Sequence, residues 1–127
     1  MAEGAQILIV EDNDKNMKLF RDVLIAKGYR TLEATTGEQA VALAAERSPD
    51  LVLMDIQLPD IDGVEALGRL RADGRTTSVP VLALTAQAME GDRERFLAAG
   101  FDGYLSKPVD IAELIATVNL YCEGGSQ

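Results

Sequence analysis

The chain has 127 residues, room for one domain, with 12 Lys and Arg against 21 Asp and Glu, a formal charge of −9, one cysteine and no histidine. That acidity leaves no cation excess for general nucleic-acid binding, and a lone Cys122 forms no internal disulfide, which makes a reducing compartment, the cytoplasm, the simplest expectation. No apolar stretch approaches the ~18 residues that span a bilayer, and without histidine there is no Ser-His-Asp triad, no His metal ligand and no phosphohistidine on this chain.

The elements follow in chain order. Ile7-Leu8-Ile9-Val10 is a continuous apolar run that ends in Glu11-Asp12-Asn13-Asp14. Its length, β-branching and polar flank predict a fully buried strand. Met17, Phe20, Val23 and Leu24 then recur at helical spacing, and Gly28 supplies the stop. Residues 30–34 form a weaker strand. Thr35-Thr36-Gly37-Glu38 offers capping groups for an Ala-rich helix over 39–47, which ends at Ser48-Pro49-Asp50. Leu51-Val52-Leu53-Met54 is a second strong strand, closed by Asp55. A loop containing Pro59 and Gly63 leads to a helix that runs to about residue 72 and stops at Asp73-Gly74. Val81-Leu82-Ala83-Leu84 is the next strand, closed by Thr85, and a helix over roughly 91–99 stops at Gly100. Gly103-Tyr104-Leu105 is a short fifth strand before Ser106-Lys107-Pro108. Ile111, Leu114, Ile115 and Val118 mark a last amphipathic helix with Asp110 as its N-cap.

Five strand–helix units in succession imply an α/β fold with a doubly wound parallel sheet and helices on both faces. The expected layout is a single domain over 1–127, with a core of about 6–121 and a polar tail over 122–127. In such sheets ligands bind beyond the carboxyl ends of the strands. Strand one ends in Glu11 and Asp12, strand three in Asp55, strand four in Thr85 and strand five in Lys107. Strand two ends in Ala34-Thr35 and carries no ionisable group there. A strand order of 2-1-3-4-5 accounts for that asymmetry, because it sends strand two to an edge and sets the other four side by side. Three carboxylates, a hydroxyl and an ammonium would then share one pocket. Carboxylates so close together need a cation, and an all-oxygen donor set suits Mg²⁺. With a lysine alongside, the pocket would draw in a phosphoryl group for attack by a carboxylate oxygen.

These residues carry a resemblance. Ile7-Leu8-Ile9-Val10-Glu11-Asp12-Asn13, Leu53-Met54-Asp55-Ile56-Gln57-Leu58-Pro59, Ala83-Leu84-Thr85-Ala86 and Tyr104-Leu105-Ser106-Lys107-Pro108 stand in order along the chain. The chain resembles the receiver domain of two-component response regulators, the CheY-like (βα)5, flavodoxin-like fold, and in particular the single-domain DivK-type regulators. The resemblance implies that Asp55 is the phosphoacceptor. It implies that Asp12, Asp55 and the backbone carbonyl of Gln57 bind Mg²⁺ directly, and that Glu11 acts through a metal-bound water. Lys107 would pair with the acceptor and then with the phosphate, next to a cis Lys107-Pro108 bond. Thr85 and Tyr104 would be the switch pair. Gln57 and Gln87 would tune the lifetime of the aspartyl phosphate.

The implied partners are a sensor histidine kinase or a histidine phosphotransfer protein, and a downstream protein. That downstream protein would meet the face of helix four, strand five and helix five, where Arg93, Arg95, Phe101, Tyr104 and Leu105 lie. Such a chain catalyses its own phosphorylation and is not a turnover enzyme. A docking adaptor and a phosphorelay shuttle are the competing readings. Two other motifs fail on their context. Asp60-Ile61-Asp62-Gly63 mimics the Asp-x-Asp-Gly of haloacid-dehalogenase-type phosphatases, but Gln57-Leu58-Pro59 separates it from the strand end. Asp12-Asn13-Asp14 opens like an EF-hand loop, but Met17 and Val23 hold its Gly and Glu positions. Cys122 is assigned no role.

Overall fold

The computed structural model describes residues 4–86 and 92–123. Gln87 and the side chain of Arg93 lie outside the described residues. Along the chain come β1 (Gln6–Val10), α1 (Asp14–Ala26), β2 (Arg30–Ala34), α2 (Gly37–Arg47) and β3 (Leu51–Asp55). There follow α3 (Gly63–Ala72), β4 (Val81–Thr85), α4 (Asp92–Ala99), β5 (Gly103–Ser106) and α5 (Ile111–Glu123). The sheet order is β2-β1-β3-β4-β5, and every neighbouring pair is parallel.

The apolar runs show no alternation because both faces of the sheet are covered. Ile7, Ile9, Leu51, Leu53, Leu82 and Leu84 face Met17, Phe20 and Leu24 of α1 and Leu114 and Val118 of α5. The intervening Leu8, Val10, Val52, Met54, Val81 and Ala83 face α2, α3 and α4 through Ala40, Ala44, Leu67, Leu70 and Phe96. Each run is thus two interleaved sets of period two, one for each core.

Side chains cap the helices as their local sequence suggests. Asn13 accepts from Asn16 N, Thr36 from Gln39 N and Asp62 from Glu65 N. Asp110 accepts from Glu113 N at 3.0 Å. Gly28 and Gly100 take positive φ after α1 and α4, where the chain must turn back into the sheet.

Most boundaries agree with the sequence expectation to within two residues, and two of the differences matter for the site and the last helix. Gly63 is the first residue of α3 and not part of the loop before it. A Cβ there would lie 2.6 Å from the Asp55 carbonyl oxygen and 2.9 Å from Ile56 Cα, so only glycine lets α3 start against the end of β3. At the other end, α5 continues to Glu123. Cys122 is therefore helical and packs against the α1/α5 core rather than opening a polar tail.

At the amino ends of β4 and β5 the structure is closed by Arg71, a residue that no motif or spacing singles out. Its guanidinium donates to Val79 O at 2.6 Å, to Gly100 O at 3.3 Å and to Asp102 Oδ2 at 3.1 Å. The same Asp102 oxygen accepts from Val81 N at 2.8 Å.

Candidate functional site

The strand order does what the asymmetry of the strand ends requires. β1, β3, β4 and β5 lie side by side, and β2, with no ionisable group at its end, is an edge strand. Register then levels the ends. Asp55 of β3 pairs with Leu84, and Thr85 of β4 pairs with Ser106. The residues just beyond, Glu11 and Lys107, are brought in by backbone hydrogen bonds: Glu11 N donates to Ala34 O at 3.0 Å and Lys107 N to Thr85 O at 2.7 Å. The Lys107-Pro108 peptide is cis.

Lys107 sits between two carboxylates. Its Nζ lies 2.8 Å from Asp55 Oδ2 and 2.7 Å from Glu11 Oε1. Glu11 is 1% exposed and Asp55 5% exposed, so this is an ion pair largely withdrawn from water. The remaining acceptor capacity is partly filled from nearby backbone. Asn13 N donates to Glu11 Oε2 at 3.2 Å, and Gln57 N to Asp55 Oδ1 at 2.9 Å. Asp12 points to the exposed side of the group, and one carboxylate oxygen from each of Glu11, Asp12 and Asp55 lies within 4.8 Å of the others.

The electrostatics follow from burial and crowding. Burial pushes the Glu11 carboxyl above its ordinary range; Lys107 pulls it back, and the neighbouring Asp55 adds to the rise. Burial also works against the Lys107 ammonium. Its hydrogen bonds to Asp55 and Glu11 outweigh that cost, and it is held above the usual lysine value. Three carboxylates therefore face one ammonium. The donor set is entirely oxygen, rigidly carried on strand ends, and fits a small hard cation such as Mg²⁺.

Thr85 is buried at the end of β4. Tyr104 is half-buried and pairs with Ala83, two residues before Thr85 on the same face of β4. Its ring lies 6.1 Å from that of Phe96 on α4. The structure thus brings together Glu11, Asp12, Asp55, Thr85 and Lys107, with Gln57 one step beyond and Tyr104 alongside. Sequence reasoning met Asp60 only in a motif that fails on its context and missed its contact with α2. Its carboxylate accepts from Gly37 N at 2.7 Å and from Glu38 N at 2.9 Å, across to the start of α2. Those partners are more than twenty residues upstream, so no local signal could reveal them.

A doubly wound (βα)5 sheet with an acidic cluster and a lysine at its carboxyl edge defines an α/β domain of the flavodoxin-like class, with its candidate site where such sheets bind ligands. The pattern of the response regulator receiver domain matches residues 7–119, and the chain belongs to that family. It is 47% identical over 115 residues to the polar-differentiation response regulator DivK of Brucella ovis, which covers 91% of this chain and 94% of that protein. A solved structure of the receiver domain of the Pseudomonas aeruginosa sensor histidine kinase PA1611 has a magnesium ion coordinated in its active-site cleft. It matches with a TM-score of 0.86 at 41% identity, covering 94% of this chain and 98% of that one. The Vibrio cholerae chemotaxis protein CheY4 matches with a TM-score of 0.85 at 26% identity, covering 91% and 97%.

Proposed function

We propose that Asp55 accepts a phosphoryl group from a phosphohistidine on a partner protein, with Mg²⁺ as cofactor, and that the phosphorylated chain signals through protein–protein contacts. The observation that carries this is the ion pair of Lys107 with Asp55 at 2.8 Å, beside two further carboxylates. An Asp55 carboxylate oxygen forms the new bond to phosphorus, and the bond from phosphorus to the histidine nitrogen breaks. The histidine leaves with the electron pair and takes up a proton. It must come from the partner, because this chain has none.

The chain's own groups divide the work. Asp12, Asp55 and the carbonyl of Gln57 would hold the metal directly, and Glu11 would act through a water. When bound, the metal offsets the charge of the phosphoryl oxygens. Lys107 moves its ammonium from the free carboxylate to the transferred group. Thr85 supplies a hydroxyl to a phosphoryl oxygen, and Tyr104 follows as the switch partner. No turnover of a separate substrate is involved.

A groove of about 360 Å³ opens beside Lys107, lined by Leu19 and Phe20 of α1 and by Pro108 and Val109, and suits the phosphodonor protein. The output face is that of α4, β5 and α5, where Leu97 and Leu120 are exposed. No described helix is long and apolar enough to cross a membrane; the setting we propose is the cytoplasm, as the lone Cys122 suggests.

Incubation with acetyl phosphate tests the reading. Labelling of the wild-type chain is expected with Mg²⁺ and is lost on chelation and in Asp55→Asn. Labelling that survives the substitution, or that proceeds fully without metal, overturns it.

A further inference from the structure

We infer that Asp60 is a positioning residue for the metal site: it clamps the loop after β3 to the amino end of α2 and so fixes the Gln57 carbonyl. The inference rests on the proposed role of Gln57 in holding Mg²⁺.

The loop over 57–62 is pinned at its base. Gly63 N donates to Ile56 O at 2.9 Å, and Gln57 N donates to Asp55 Oδ1 at 2.9 Å. A loop fixed only at its base is free to hinge about it. Asp60 supplies a second anchorage. Its two carboxylate oxygens each take one backbone N–H of the first turn of α2, from Gly37 and from Glu38. Thr36 takes the next one, from Gln39, so the two side chains together satisfy the helix start. The negative charge also lies at the positive end of the helix dipole.

Steric contact reinforces the clamp. A Cβ on Gly37 would meet Ile61 Cγ1 at 2.4 Å and the Ile61 carbonyl oxygen at 3.2 Å. The loop therefore lies directly on the helix start, with no space in which to slide. Gln57 is held between the Asp55 carboxylate on one side and this anchorage on the other. Metal affinity is sensitive to groups that orient a ligand without touching the ion, and Asp60 has that position.

Mg²⁺ titration calorimetry of the full chain tests the inference, with Thr36→Ala as the control. Thr36→Ala removes a cap from the same helix turn and leaves the loop anchorage in place. Asp60→Ala is expected to weaken Mg²⁺ binding by about tenfold, while Thr36→Ala lowers the melting temperature and leaves the affinity at the wild-type value. Asp60→Asn keeps one acceptor oxygen and is expected to fall between. Wild-type affinity in Asp60→Ala overturns the clamp, and so does an equal loss in Thr36→Ala, which would assign the effect to α2 itself. A wild-type chain that binds no Mg²⁺ overturns the metal reading first and the clamp with it.

Discussion

Lys107 supplies the charge that makes two buried carboxylates compatible with folding. Replacing it with methionine keeps most of the volume and removes the charge, which leaves the buried carboxylates of Glu11 and Asp55 without their ammonium partner. Breaking such a pair costs about 3 kcal/mol or more. We expect Lys107→Met to lose roughly that much stability in metal-free urea unfolding, and Mg²⁺ to restore more stability to it than to the wild type. Equal stabilisation of the two chains would contradict the shared-charge account. Asp60 gives a second outcome at this scale. Desolvation pushes its pKa up, but hydrogen bonds from the Glu38 and Gly37 backbone outweigh that and hold it down to about 2, against an ordinary value of 3.8. A lowered folded pKa means stabilisation that is complete above the unfolded value and fades as pH falls through the folded one. The stability gap between wild type and Asp60→Asn should therefore be constant at neutral pH and close between pH 3.8 and about 2. Urea midpoints of both chains across that range measure it.

The helices show how the same substitution takes opposite signs along one element. In α3, Gly63 abuts the backbone of Asp55, whereas Gly68 is exposed with nothing within 4 Å of a would-be Cβ. Gly68→Ala should stabilise the chain by about 0.5–1 kcal/mol through helix propensity alone. Gly63→Ala should destabilise it and slow labelling at Asp55, because the methyl group pushes on the strand end that carries the carboxylate. Thermal melts and acetyl phosphate labelling of the two variants separate these effects. The difference between the two glycines also shows what was legible in the sequence. The strands were, because short uninterrupted apolar runs closed by polar residues read as buried strands, and so were the caps at Thr36 and Asp110, whose partners are three residues away. The convergence of Glu11, Asp12, Asp55, Thr85 and Lys107 followed from strand ends and strand order. Gly63 read as a turn residue because its close neighbour is backbone, which leaves no trace in side-chain pattern. Arg71 and Asp60 were silent because their partners are remote in sequence and several are main-chain atoms.

At the scale of the molecule, stability should be graded across the sheet. β1, β3 and β4 have both faces packed, while β2 and β5 are the edges and carry partly exposed residues. Amide exchange is expected to be slowest in the three inner strands, limited there by global unfolding, and faster in β2 and β5. Uniform protection across the five would refute this grading. The two-sided burial of β3 has a further consequence for how the chain finds its alignment. Where a strand has one wet face, a slip of a single residue exposes apolar groups, and hydrophobicity alone enforces the correct phase. Leu51, Val52, Leu53 and Met54 are all fully buried, so a slipped strand would still bury greasy side chains on both sides. Asp55 removes that ambiguity, since a shift in one direction drags its carboxylate into the apolar interior, away from Lys107. The residue proposed to take the phosphoryl group thus also serves as an end-stop that tells the central strand where to halt.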